Sequence, residues 1–148
     1  MPGALTHSPA DVVSRLLVDL GVGTDPADGS AWPIFAAGEP SLPDNVITVF
    51  DTVGRQQGRT HFDGETQEHH GIQIRVRSST HLVGFTKARA IAVVIDGQYQ
   101  SQVVIGAISY VVHAITRSGD VNILGKEVPA TKRNLFTINA LVSLRVDQ

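Results

Sequence analysis

Six side chains able to hold a divalent metal or move a proton fall within ten residues of one another: His61, Asp63, Glu65, Glu68, His69 and His70. Imidazole mixed with carboxylate suits zinc or manganese, and a water activated by such a metal would serve a small hydrolase or nuclease. The spacing matches no established zinc pattern. Two adjacent histidines leading into a strand point to opposite sides of it, and a catalytic metal also needs outer partners that orient its ligands. The cluster therefore reads first as a solvated contact surface. A metal-dependent hydrolase or nuclease using His61 to His70 is the alternative.

Other arrangements give less. Ser109, His113 and Asp120 name the members of a hydrolase triad, but no serine sits in a nucleophile elbow, and Ser109 and His113 would share one strand face with apolar neighbours. Gly54 and Gly58 bracket Arg55-Gln56-Gln57 without the Lys-Ser or Lys-Thr of a phosphate-binding loop, so they read as a turn. Gly21-Val22-Gly23 follows a helix rather than a strand, outside the context of a dinucleotide fingerprint. Arg75 and Arg77 lie on one face of a strand. Two arginines in a chain of net charge −2 favour ion pairing, with a neighbouring strand or an adjacent subunit, over a nucleic-acid backbone. No cofactor and no catalytic residue is expected.

These residues need elements to position them. At 148 residues the chain fits one domain, 1–148, with room for a real core, and 42% hydrophobic against 18% charged residues is the balance of a folded protein. The absence of cysteine removes disulfides and thiolate metal sites. The longest apolar run, Ala90–Ile95, falls far short of a bilayer span, and the start MPGALTHSPADVV lacks the pattern of a signal peptide, so no membrane partner is expected.

Ser8-Pro9-Ala10-Asp11 starts a helix: a capping serine, proline in the first turn, then an acid. Val12, Val13, Leu16, Leu17 and Leu20 continue at helical spacing until Gly21 and Gly23 stop it. Trp32–Ala36 reads as a short strand interrupted by Pro33, and Val46–Phe50 as a buried one. A polar stretch of roughly twenty residues then separates Val46–Phe50 from Ile72–Val76, a length that in a compact domain usually marks function. Ser79 or Thr80 caps a second helix running to about Asp96, with Leu82, Phe85, Ala88, Ala92 and Ile95 as its inner face and Gly97 as its end. Val103–Ile105, Ile108–Thr116 and Val121–Leu124 read as strands, with a turn at Ser118-Gly119-Asp120. Gly125–Arg133 is a second charged loop, and Phe136, Ile138, Ala140, Val142, Leu144 and Val146 alternate through a last strand. The order predicts an α+β fold: a mixed, mainly antiparallel sheet, two helices packed on one face, and a long polar loop between two strands.

The segments PDNVITVFDTVG (Pro43–Gly54), HGIQIRVRS (His70–Ser78) and FTINALVSL (Phe136–Leu144), in this order behind the N-terminal helix, resemble the minor capsid and tail-terminator proteins of long-tailed bacteriophages, over roughly Pro9 to Val146. The resemblance implies a virion protein of the tail and neck, assembled in the host cytoplasm. Such a protein forms a ring of identical subunits, commonly a hexamer, that caps the tail tube and stops its growth. It then offers a docking surface to the head-completion proteins. Genomic DNA would slide through an acidic or neutral lumen without specific binding. A neck protein of similar fold, or an adaptor module of the host, is the neighbouring reading. The residues expected at contacts are Arg55, Arg59, His61, Asp63, Glu65, Glu68, His69 and His70 on the first loop, Arg75 and Arg77 beside it, and Lys126, Glu127, Lys132 and Arg133 on the second. The first loop is expected to order on assembly.

Overall fold

The computed structural model describes residues 5–28, 31–41, 43–59, 66–126 and 133–147, with the backbone alone at 55–59, 66–68 and 126. Helix α1 (Pro9–Asp19) begins at the cap the sequence predicts. Ser8 Oγ accepts from the Asp11 N–H at 3.3 Å while the Ser8 N–H donates to Asp11 Oδ2 at 3.1 Å, so two orphan donors of the first turn are satisfied reciprocally. The Ala10 N–H donates to Asp51 Oδ1 at 2.8 Å, placing a carboxylate from the sheet at the positive end of the helix. Gly21, at φ +78°, carries the chain out of the helix.

Strand β1 (Ile34–Ala36) pairs in parallel with β2 (Val46–Arg59), and β2 pairs antiparallel with β3 (Thr66–Ser78). After helix α2 (His81–Asp96) come β4 (Tyr99–Ile105), β5 (Ile108–Arg117), β6 (Asn122–Lys126) and β7 (Asn134–Val146). Among the described residues the sheet has seven strands in the order β1-β2-β3-β7-β5-β4, with β6 also on β7. It is mixed and curled. Ile34 and Ile105, from strands at the two ends of that order, line one ≈ 290 Å³ cavity beside α1. Among the described residues no helix is long and apolar enough to cross a membrane.

Alternation along β7 buries Phe136, Ile138, Ala140, Val142 and Leu144, as its sequence predicts. In register across β3 these meet Ile72, Ile74 and Val76, and the next strand adds Ile47 and Val49. Ala10, Val12, Val13, Leu16 and Leu17 of α1 and Ala88, Ile91, Ala92 and Ile95 of α2 complete one continuous core. The buried Tyr110 keeps its hydroxyl satisfied through His7, whose N–H donates to it at 3.0 Å and whose Nδ1 lies 2.7 Å away.

Four expectations are corrected. The polar stretch after Phe50 is not a loop: β2 and β3 pair as far as Arg59↔Thr66. Its polar and charged sequence lacks the apolar alternation by which a half-buried strand is recognised. Gly54 is part of this pairing rather than of a turn: between Thr52↔Gly71 and Arg55↔His69 two residues of β2 oppose one of β3, a bulge, and a second irregularity follows between Gln56 and Arg59. Ser118–Asp120 does not reverse the chain. β5 and β6 run along the same edge of β7, one after the other, and Ser118–Asp120 is the break between them, closed by the Ser118 N–H donating to the Asn139 carbonyl at 2.8 Å.

The fourth correction concerns α2, whose inner face holds Gly84 and Ile91 while Leu82 is 75% exposed. A Cβ at Gly84 would strike the Phe136 ring, which shows how closely the helix approaches β7 there; a large residue has no room on that line. Ile91→Ala is expected to cost about 2–5 kcal/mol of unfolding free energy, and Leu82→Ala no more than about 0.5 kcal/mol. Urea denaturation of both variants checks this, and equal losses would contradict the placement.

Candidate functional site

Beyond Thr52 the β2–β3 pair becomes a free-standing ribbon. The last residue of β3 paired to β7 is His70, opposite Val142, although β7 continues to Val146. From that point the two strands of the ribbon, Val53–Arg59 and Thr66–His69, have only one another among the described residues. We refer to it as the arm. Its root is tightly made: a Cβ on Gly54 would run into the His69 carbonyl oxygen, and one on Gly71 into Thr52 Oγ1 and the Val53 carbonyl oxygen. Only glycine permits the strands to approach so closely at the bulge, and the bulge leaves the Val53 side chain 94% exposed.

The predicted contact residues distribute unevenly. Arg55 and Arg59 lie in β2 and Glu68 in β3, all on the arm, where the backbone alone is described; His69 and His70 are half-buried at its root. His61, Asp63 and Glu65 lie outside the described residues, as do Glu127 and Lys132. Among the described residues no group of three or more metal-binding side chains gathers. Lys126 ends β6 instead of belonging to a loop.

Arg75, Arg77 and Arg133 occupy a different setting from that expected of contact residues. Arg77 is 2% exposed and Arg133 is buried. Both work on the segment between β1 and β2. Arg77 donates through Nη2 to the Pro43 carbonyl at 2.7 Å and through Nε to the Asp44 carbonyl at 3.4 Å, and Arg133 donates to the Ser41 carbonyl and pairs with Asp44 at 3.5 Å. Glu39 Oε1 lies 3.5 Å from Arg77 Nη1 and 3.6 Å from Arg75 Nη1, while the Arg75 guanidinium sits 5.5 Å over the Phe50 ring. Ion pairing, the use the sequence favours for Arg75 and Arg77, is thus made within the chain. The three arginines strap Glu39, Ser41, Pro43 and Asp44 to the sheet, on the side of Thr48, Phe50 and Gln73. Glu39 as the shared partner was not legible, because nothing in its spacing relates it to a strand more than thirty residues on.

A second ionic joint closes the break between β5 and β6. Arg117 clamps Asp96 at the end of α2 through Nε and Nη2, each at 2.8 Å, and Arg89 Nη1 reaches Asp120 Oδ1 at 3.2 Å. A depression of ≈ 640 Å³ lies over it, and its two carboxylates are paired with its two guanidiniums. The hydrogen bonds from Arg117 hold the Asp96 carboxyl below the ordinary carboxylate range. Of the paper triad, Asp120 belongs to this joint, His113 Nδ1 lies 3.0 Å from Gln100 Oε1, and the Ser109 hydroxyl accepts from Gln102 at 2.8 Å; the structure does not assemble them. At the other flank of α2, burial pushes the Lys87 ammonium below the usual lysine range as it donates to the Val22 carbonyl at 2.9 Å, 5.3 Å over the Trp32 ring.

No protein-family model matches this chain, and no curated protein matches it. Among solved structures, a chain of the virion of the native gene transfer agent particle aligns with 93% of this chain and 92% of its own length, at 17% identity and a TM-score of 0.46.

Two outcomes follow from the joints. Glu39→Ala removes the carboxylate that Arg75 and Arg77 share and is expected to cost about 1–3 kcal/mol in urea unfolding; a neutral result would contradict the strap. The Asp96 carboxyl is depressed when folded, so the stability it adds is present above the unfolded value, near pH 4, and is lost as pH falls through the folded one. In thermal melts the difference between wild type and Asp96→Asn is therefore expected to be flat above about pH 5 and to narrow as the pH falls below the ordinary carboxylate range. A difference unchanged at the acid end would contradict the clamp.

Proposed function

We propose that this chain is a non-enzymatic structural protein of a phage-like virion, acting as a tail terminator: a ring of identical subunits, six in the expected form, that caps the tail tube and stops its elongation. It then presents a docking surface to the head-completion proteins. The observation that carries the reading is the arm. A two-stranded ribbon is marginally stable by itself in water, because neither face is covered. This one leaves the sheet at a glycine-tight bulge, carries an exposed valine at its root and bears charged residues along its length. Such an element is stabilised when a second surface covers it, and ring assembly supplies one.

The segment order supports the same reading. The three stretches that resemble the family, Pro43–Gly54, His70–Ser78 and Phe136–Leu144, are the outer, middle and inner parts of one sheet region from which the arm projects. In the proposed arrangement both helices cover one sheet face and leave the other face, the edges and the arm to neighbours. The net charge of −2 suits a lumen through which DNA slides without sticking. The partners are then further copies of the chain, the tail-tube protein and a head-completion protein.

The test is assembly on purified tail tubes from the same virus. Electron microscopy is expected to show a ring on the growing end of each tube and no further elongation when tube protein is added. Tubes that stay uncapped at high protein concentration would overturn the proposal. A shortened variant, with residues 57–67 replaced by Asn-Gly so that Gln56 and Glu68 close a tight hairpin, is expected to melt as the wild type does and to lose capping. Capping retained by this variant would remove the arm from the function.

A further inference from the structure

The sheet has two long edges that no described strand covers, and they differ. The first is β4. It ends the strand order, pairs with β5 alone, and its seven residues, Tyr99–Ile105, include no charge and no proline; Gln100, at φ +51°, breaks its line near the Tyr99 end, and from Ser101 to Ile105 it pairs with β5 without a shift. Proteins ordinarily blunt an edge of that length with lysine, proline or a bulge, because its unpaired N–H and C=O groups invite another strand. The second is the outer side of β2. Pairing with β1 stops at Val49, and the strand runs on to Arg59 with β3 on its other side only.

Both edges also carry exposed apolar side chains. Val53 on β2 is 94% exposed, and on β4 Tyr99 and Val104 are 77% and 50% exposed. Side chains of this kind standing on backbone edges match one another in chemistry as the edges do in hydrogen bonding. Pairing β4 with β4 between two copies is a two-fold contact that uses the same surface on both and is saturated in a dimer. Pairing β2 of one copy with β4 of the next joins two different surfaces, so the same contact repeats from copy to copy, and it closes when the rotation per step divides a full turn.

We propose that the free side of β2, from Phe50 along the root of the arm, adds as a strand to β4 of a second copy of this chain, with Val53 packing against Val104. Main-chain hydrogen bonds supply the affinity and the apolar contacts set the register, as in other strand additions. This rests on the ring reading above and names the surface that makes the ring.

The chain has no cysteine, so single substitutions introduce the only thiols. Val53→Cys and Val104→Cys proteins are mixed on tail tubes and treated with a bis-maleimide. A covalent dimer is expected from the mixture and from neither protein alone, and the double variant is expected to give a ladder up to the ring size. Dimers from either single variant alone, or none from the mixture, would overturn the β2–β4 contact. Micrographs of the same samples separate the two proposals. Rings without the cross-link overturn this contact and leave the terminator reading standing, whereas cross-linked copies on uncapped tubes support the contact and overturn the terminator reading.

Discussion

The pairing of β3 with β7 holds the molecule in register from His70↔Val142 to Ser78↔Asn134 without a shift. Because side chains alternate, that one register decides what both faces of the sheet can do. On one side it sets Ile72, Ile74 and Val76 against Ala140, Ile138 and Phe136, and Phe136 then fixes how near α2 can come through Gly84. On the other it sets Arg75 and Arg77 beside Thr137 and Leu135, where they bind the segment before β2. A slip of one residue would turn three arginine and glutamine side chains into the core and the isoleucines out. The place where this pairing ends, His70, is also where the arm begins.

The two ionic joints follow from the same frame. Each fastens a connection that the sheet's own hydrogen bonds leave loose: the strap between β1 and β2, and the break between β5 and β6. Buried charges are costly unless paired and hydrogen-bonded, and Arg77 meets that condition with two carbonyls and a carboxylate. The strap matters to the arm because β2 is held on this side up to the point where it leaves the sheet. The Asp51 carboxylate at the start of α1 holds it from another direction. The arm's root is thus anchored by a helix, a strap and a bulge, and its free length begins immediately beyond them.

Much of this was legible in the residues. The caps at Ser8 and Thr80, the glycines that end each helix and the alternation of β7 all act through local chemistry, and local chemistry is what a single sequence displays. The misses have a common cause. The arm reads as a loop because strand recognition depends on apolar alternation, and the sequence from Arg55 to Glu68 shows none. Leu82 reads as core because amphipathic patterns weigh large apolar residues, whereas the buried face of α2 includes the small Gly84, Ala88 and Ala92. Arg77 reads as a surface group because its partner, Glu39, is remote in sequence. In the candidate site, the polar and charged types from Arg55 to His70 are plain in the sequence, but the bulge beside the exposed Val53 depends on how Gly54 and Gly71 meet across two strands.

In the proposed function the arm serves assembly of a ring at the end of a tail tube, and electron cryomicroscopy of the intact virion can see this. A ring of this fold is expected at the junction of tail tube and neck, with the arm of each subunit lying on its neighbour. Density for the chain at another place in the particle, or at the junction as separate subunits whose arms touch no neighbour, would contradict it.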